Sequence, residues 1–373
     1  MWLSILALSA ALTAAPPPSH PPMGISQRSQ QASALATWGA GEVRCEGSVV
    51  IAGDRIRRPF SVLTYPAAAQ RPPMTLSFDI DASGRPVSIK AENRYHFNDD
   101  VAPALAASRF PAVARRGCSV NFSADIRPMS TAFPADLVAY TMMPTSGPLP
   151  PEGWKRIRQD GTCGDGPRPQ PRLRAYPDFA SIAATPGAKD WSLVAYDTDA
   201  GGKPVAVRTA LGTGNKALDA EAVKAVRKSR FSGGGRKACL YPYWRAPATL
   251  PAPPMPQDLP RPADATCAAD RKWVRTPELQ FPAAYGRRRI EGWAVVSFDT
   301  APWGAVGNVQ VLEAQPSDDF GRQAAQMIQR AAVASSPQGS TGCVERVKFV
   351  MPGEDKAQYG EGAQEEPAPE PAH

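Results

Sequence analysis

The chain is poor in the groups that reactive sites usually need. It has three histidines, His20, His96 and His373, in 373 residues, so there is no imidazole cluster for a metal centre or a general base. Its six cysteines form no CxxC pair, which excludes the usual zinc spacings. GTGNK at 212–216 lacks the GxxxxGK[ST] spacing of a phosphate-binding loop. Lys and Arg (42) exceed Asp and Glu (35) by a formal charge of only +7, and they are scattered, so nucleic acid is not an expected partner. Beyond the N-terminus no run of 18 apolar residues occurs, and no later membrane-spanning helix is predicted.

Proline and glycine, by contrast, are abundant. The 41 prolines and 30 glycines make up about 19% of the chain against a usual ~12%, which predicts frequent breaks and argues against long helical bundles. The length allows roughly two or three domains of ~100–200 residues. Residues 1–15 are apolar and too short to span a bilayer comfortably. They read as a signal peptide despite lacking a basic start, which predicts export to the periplasm, with membrane association only if the segment is uncleaved. A flexible lead at 16–32 follows.

The cysteines carry the organisation. Taken in order, Cys45 and Cys118, Cys163 and Cys239, and Cys267 and Cys343 are separated by 73, 76 and 76 positions. Between them recur SFDIDASGRP (77–86), AYDTDAGGKP (195–204) and SFDTAPWGAV (297–306). Each has an aromatic residue, then Asp (Asp79, Asp197, Asp299), then Gly five further on (Gly84, Gly202, Gly304), which reads as a strand turning into a β-hairpin. Amphipathic helices are predicted at 101–110, 218–231 and 320–333, with Asp99 or Asp100, Asp219, and Asp318 or Asp319 near their starts. CSVNFSA, CLYPYWR and CVERVKFV read as closing strands, and Tyr65-Pro66, Tyr176-Pro177 and Phe281-Pro282 as packing anchors.

The expected fold class is therefore α+β, with three tandem units, each a three-stranded antiparallel sheet packed by a helix. The first unit is placed at 33–140, the second at 159–245 and the third at 263–352. Linkers are expected at 141–158 and 246–262, the latter Pro-rich, and an acidic disordered tail at 353–373. Relative motion between the units follows from such linkers. In an oxidising compartment the repeat favours the disulfides Cys45–Cys118, Cys163–Cys239 and Cys267–Cys343, each adding up to about 4.5 kcal/mol by loop entropy.

The third unit resembles the C-terminal domain of TonB-family energy transducers. The resemblance rests on FPAAYGRRRIEGWAVVSFDTAPWGAVGNVQVLEAQPSDDFGRQAAQMIQRAAV and VERVKFVMP, with Phe281, Pro282, Glu291, Gly292, Phe298, Gly304, Pro316 and Phe320 among the matching residues. The first two units resemble it less completely, through Phe78, Gly84, Tyr176, Pro177, Tyr196 and Gly202, and through Arg109-Phe110 and Arg230-Phe231. The resemblance implies a small domain that binds a short segment of an outer-membrane transporter by adding a strand to its sheet. Three units in place of one, a short apolar N-terminus and short Pro-rich segments depart from that family, so the expectation is the binding module.

The candidate docking edge is Glu345, Arg346, Val347, Lys348, Phe349 and Val350, and an envelope protein is the expected partner. No catalytic residue, cofactor or metal is expected. Asp79, Asp197 and Asp299 occur once per unit, at strand ends, and acid/base chemistry needs groups that converge. SGGGRK at 232–237 reads as a flexible connection. The competing class is a periplasmic enzyme or small-ligand-binding protein with a site between units.

Overall fold

The computed structural model describes residues 34–352, apart from 51–55, 65–70, 93–97, 159–160, 167–168, 259–263 and 269–270. The expected signal peptide, lead and acidic tail, and Tyr65-Pro66, lie outside the described residues.

The first region runs β1 (Ala34–Ala40), β2 (Val43–Cys45), β3 (Ser48–Val50), β4 (Val62–Thr64), β5 (Met74–Ile80), β6 (Pro86–Ala91), α1 (Val101–Ala106) and β7 (Arg115–Pro128), followed by α2 (Pro134–Met142) and α3 (Pro151–Ile157). The second runs β8 (Pro171–Leu173), a 3-10 turn at Phe179–Ser181, β9 (Asp190–Thr198), β10 (Pro204–Gly212), α4 (Lys216–Lys228), β11 (Arg230–Phe231) and β12 (Arg236–Arg245). The third runs β13 (Trp273–Arg275), α5 (Ala283–Arg287), β14 (Gly292–Thr300), β15 (Val306–Gln315), α6 (Asp318–Arg330), β16 (Ala332–Val333) and β17 (Ser340–Phe349).

The chain is mixed α+β. Among the described residues two sheets have three strands, β10-β9-β12 and β15-β14-β17, all antiparallel. The first sheet departs from expectation, with seven strands in place of three. β5 pairs one side of β7 and continues to β6, while β2 and β1 share the other side of β7. β7 has 14 residues, long enough to accept both, and β1 lies antiparallel to its far half from Ala34↔Pro128 to Ala40↔Phe122.

The three expected hairpins are β5–β6, β9–β10 and β14–β15. Their turn glycines have φ of +83°, +79° and +91°. A Cβ at Gly84, Gly202 or Gly304 would stand 2.3, 1.8 or 2.1 Å from the carbonyl oxygen of Phe110, Phe231 or Val333. These same residues donate their N–H to the glycine carbonyls at 2.9, 2.9 and 3.0 Å. Glycine is therefore needed here for close approach as well as for its dihedral.

Helix capping is less acidic than expected. Asn215 caps α4 by accepting from Leu218 N, and Ser317 caps α6 by accepting from Asp319 N. Asp100 stands at the N-cap of α1 without a capping bond, since its carboxylate is used elsewhere.

The middle strands β9 and β14 are covered on both faces, whereas β5 alternates between buried and half-buried positions. β9 packs α4 on one face, and its Leu193 joins Val138 and Met142 of α2 on the other. β14 packs α6 on one face, and on the other Trp293 donates its indole N–H to Pro253 O at 2.8 Å. The near-continuous apolar runs WSLVAY and WAVVSF suit strands covered on both sides.

Both stretches read as linkers have contacts of their own. Residues 141–158 include the end of α2 and all of α3, with Leu149 buried against Tyr140 and Leu137. In the other stretch, Leu250 donates to Arg289 O and accepts from Glu291 N, both at 2.9 Å. The first and third regions also share one hydrophobic core, in which Ile89, Val101 and Leu105 join Tyr285, Phe320 and Ile328. No helix among the described residues is long and apolar enough to cross a membrane.

Candidate peptide-binding edge

β17 is an edge strand whose ladder partner is β14, in register from Gly292↔Phe349 to Phe298↔Cys343. Val347 and Phe349 are buried, and Phe349 meets Phe281 and Phe320 edge to face at 5.9 and 5.2 Å. This fixes the strand from within. Arg346, Lys348 and Val350 are exposed.

The outer side of β17 divides in two. Its first half is covered: Thr266 N and Cys267 N donate to Thr341 O at 3.1 and 3.2 Å, and Thr341 N donates to Thr266 Oγ1 at 2.9 Å. Arg271 then donates to Val344 O at 3.1 Å and ion-pairs with Glu345. The Val344 carbonyl therefore points away from β14, and in an antiparallel ladder the backbone groups of Arg346 and Lys348 point the same way. No strand pairs with them among the described residues. The Arg346 side chain reaches Gln257 O, and Met351 N donates to Glu291 Oε1 at 2.9 Å, tying down the end of the edge. The six candidate residues thus form one continuous segment, of which 345–349 lie in the strand.

The recurring aspartates are not brought together. Asp79 Oδ1 accepts from Gly117 N, Asp197 Oδ1 from Ala238 N and Asp299 Oδ1 from Gly342 N, each at 2.9 Å. Each acceptor thus holds the residue just before the second cysteine of a pair, and those residues have φ of +57°, +50° and +65°. The tight-turn bonding assigned to these aspartates belongs instead to Asp81, whose Oδ1 accepts from Ser83 N and Arg85 N, and Asp199, whose Oδ1 accepts from Gly201 N and Lys203 N. In the third hairpin Ala301 does this with its backbone alone. Asp197 also ion-pairs with Lys237 at 2.9 Å, and that bond, with the Ala238 N–H, holds its carboxyl below the ordinary 3.8. SGGGRK is tied to β9, with Thr198 Oγ1 donating to Gly234 O and accepting from Arg236 N.

The disulfides Cys45–Cys118, Cys163–Cys239 and Cys267–Cys343 each anchor a segment to the strand that closes the following helix.

Among the described residues the most buried ion pair joins the three regions. Arg288 is 2% exposed at the side chain and Asp100 0%. The guanidinium donates to both Asp100 carboxylate oxygens at 2.7 and 2.5 Å, to Arg58 O at 2.9 Å and to Gly187 O at 3.1 Å. It also stacks 4.2 Å above the Phe60 ring, and Phe60 N donates to Asp100 at 2.7 Å. Nearby, Ser88 and Gln315 exchange two hydrogen bonds, and Ile89 N donates to Pro316 O at 2.9 Å. The available signal in the sequence was a run of three arginines, Arg287-Arg288-Arg289, shortly after the packing anchor Phe281-Pro282.

A family described as the Gram-negative bacterial TonB protein C-terminal matches residues 277–351, which include α5, β14, β15, α6, β16 and β17. Protein TonB of Escherichia coli (strain K12) is 37% identical over 79 residues, covering 21% of this chain and 33% of that protein. Protein TonB of Salmonella typhimurium is 33% identical over 117 residues, or 28% and 48% of the two chains. That of Klebsiella pneumoniae is 31% identical over 88 residues, or 24% and 36%. The chain spans less than half the length of the curated relatives it matches.

Proposed function

Because residues 277–351 are a TonB-family C-terminal domain, we propose that this chain is a non-catalytic, periplasm-facing module that docks extended segments of envelope proteins on β17. The observation that carries this reading is the outer side of Arg346 and Lys348, two residues of an edge strand whose outward groups face no strand among the described residues. An extended peptide gains affinity there from main-chain hydrogen bonds. Support of energy-coupled outer-membrane transport belongs to the same reading, with a transporter segment as the docked partner.

The reading also takes the three regions as degenerate copies of one unit. Its support is the shared position of the capping aspartates, turn glycines and disulfides.

The test is backbone NMR of the oxidised chain titrated with synthetic peptides from the periplasm-facing segments of outer-membrane transporters. Broadening or shifts concentrated at 345–350 are expected. Unchanged resonances there at saturating peptide would remove the proposal.

A further inference from the structure

The closing strands share one register relative to their cysteines. Cys118, Cys239 and Cys343 face Phe78, Tyr196 and Phe298 across their ladders, and each follows a left-handed residue. Three residues further on stand Asn121, Pro242 and Arg346, opposite Thr75, Leu193 and Val295. These are equivalent outward positions on three equivalent edges, and each edge is in a different state.

On the first sheet the edge is filled. Asn121 O accepts from Gly41 N at 2.7 Å, and β1 continues the pairing from Phe122 onward. On the second, Pro242 stands at the position where an added strand needs a donor, and proline has none. A proline in an edge strand is a common way to stop a further strand from joining. On the third, Arg346 supplies both an N–H and a C=O, and no strand covers them among the described residues.

We infer that the three closing strands together dock one extended segment at a time: among them β17 is the open edge, Gly41 and β1 are the chain's own occupants of the corresponding edge of the first sheet, and Pro242 closes the second, while the opposite edges β10 and β15 carry the register shifts that blunt an edge. This rests on the docking reading above and adds to it a stoichiometry and two blocking devices. It also names the kind of ligand: a short extended strand of small and aromatic residues like Trp38–Ala40 and Gly41, which lie opposite Phe122–Ala124 and Asn121, the positions equivalent to 347–349 and 346.

The experiment uses the full oxidised chain and a synthetic peptide of residues 33–42, the β1 strand with its flanks, followed by calorimetry and by NMR. One site per chain is expected, mapping to 345–349. Arg346→Pro, which puts at the third edge what Pro242 puts at the second, should weaken binding about tenfold or more, from the lost main-chain bond. Pro242→Val leaves β17 untouched and should raise the stoichiometry from one to two, which keeps the test decisive should Arg346→Pro not fold. Two sites in the unaltered chain, or one site that survives Arg346→Pro, would overturn the single-edge inference and leave docking itself standing. No saturable binding of this peptide would also overturn it, while the transporter-peptide titration judges the docking reading separately.

Discussion

At the scale of single residues, a carboxylate at a strand end holds a backbone turn that a disulfide then locks. Asp79, Asp197 and Asp299 each bind the N–H of a left-handed residue, and in two of the three cases that residue is glycine, Gly117 or Gly342. The second region has Ala238 at φ +50°. An L-residue in that region of dihedral space costs about 1–2 kcal/mol. Ala238→Gly should therefore raise stability by about 1 kcal/mol and Gly342→Ala should lower it by a similar amount, both measured by denaturant unfolding. An opposite sign in either would show that the side chain, not the dihedral, decides these positions.

In the second region this carboxylate also sets an acid dependence. Lys237 and the Ala238 N–H hold Asp197 below its ordinary value. A depressed carboxylate contributes stability that is present above its unfolded pKa, about 3.9, and is lost as pH falls through the lower folded value. The unfolding midpoint should drop on acidification below about pH 4. Asp197→Asn should be less stable at neutral pH and show a shallower acid slope. A parallel slope in the variant would exclude this role for Asp197.

At the scale of elements, what was legible was whatever leaves a local mark. The near-equal cysteine spacings pointed to the three pairs that are joined, and the aromatic-Asp-Gly segments marked the hairpins. Helix positions were legible from apolar periodicity to within a few residues, although the caps proved to be Asn215 and Ser317. β1 was not legible: ALATWGA has weak strand character, and its partner lies about 90 residues away on β7, so its pairing leaves no trace in its own neighbourhood. Nor could the sequence show that a proline-rich stretch would lie along β14, because proline marks an extended chain without saying what it touches. The second region has a small core built around Val194, Leu218 and Phe231. Its disulfide should matter accordingly: replacing Cys163 and Cys239 together by Ser should cost about 2–5 kcal/mol, read from the denaturant midpoint. An unchanged midpoint would mean the loop is held without the bond.

At the scale of the whole molecule, independent units on mobile linkers were the expectation, and the finding is a junction centred on Arg288. Five guanidinium N–H groups in a rigid fork suit a site where Asp100, Arg58 O and Gly187 O converge from different parts of the chain. Removing one partner of a buried pair leaves the other charged and desolvated. Arg288→Met should therefore cost about 3–5 kcal/mol, and Arg288→Met with Asp100→Leu should recover a large part of that. Thermal unfolding with X-ray scattering checks both; a compact, fully stable single variant would show that the shared core of Ile89, Phe320 and their neighbours suffices alone. If β17 docks a segment as proposed, the Arg288 junction and the shared core would let that segment pull on the three regions together.

Amide hydrogen exchange along β17 in the full oxidised chain tests the proposed strand addition most directly. In the free chain the outward amides of Arg346 and Lys348 should exchange fast, while those of Val347 and Phe349, facing β14, are protected. With a saturating transporter peptide the outward pair should become protected as well, closing the alternation. Unchanged fast exchange at Arg346 and Lys348 with the peptide bound would contradict the account.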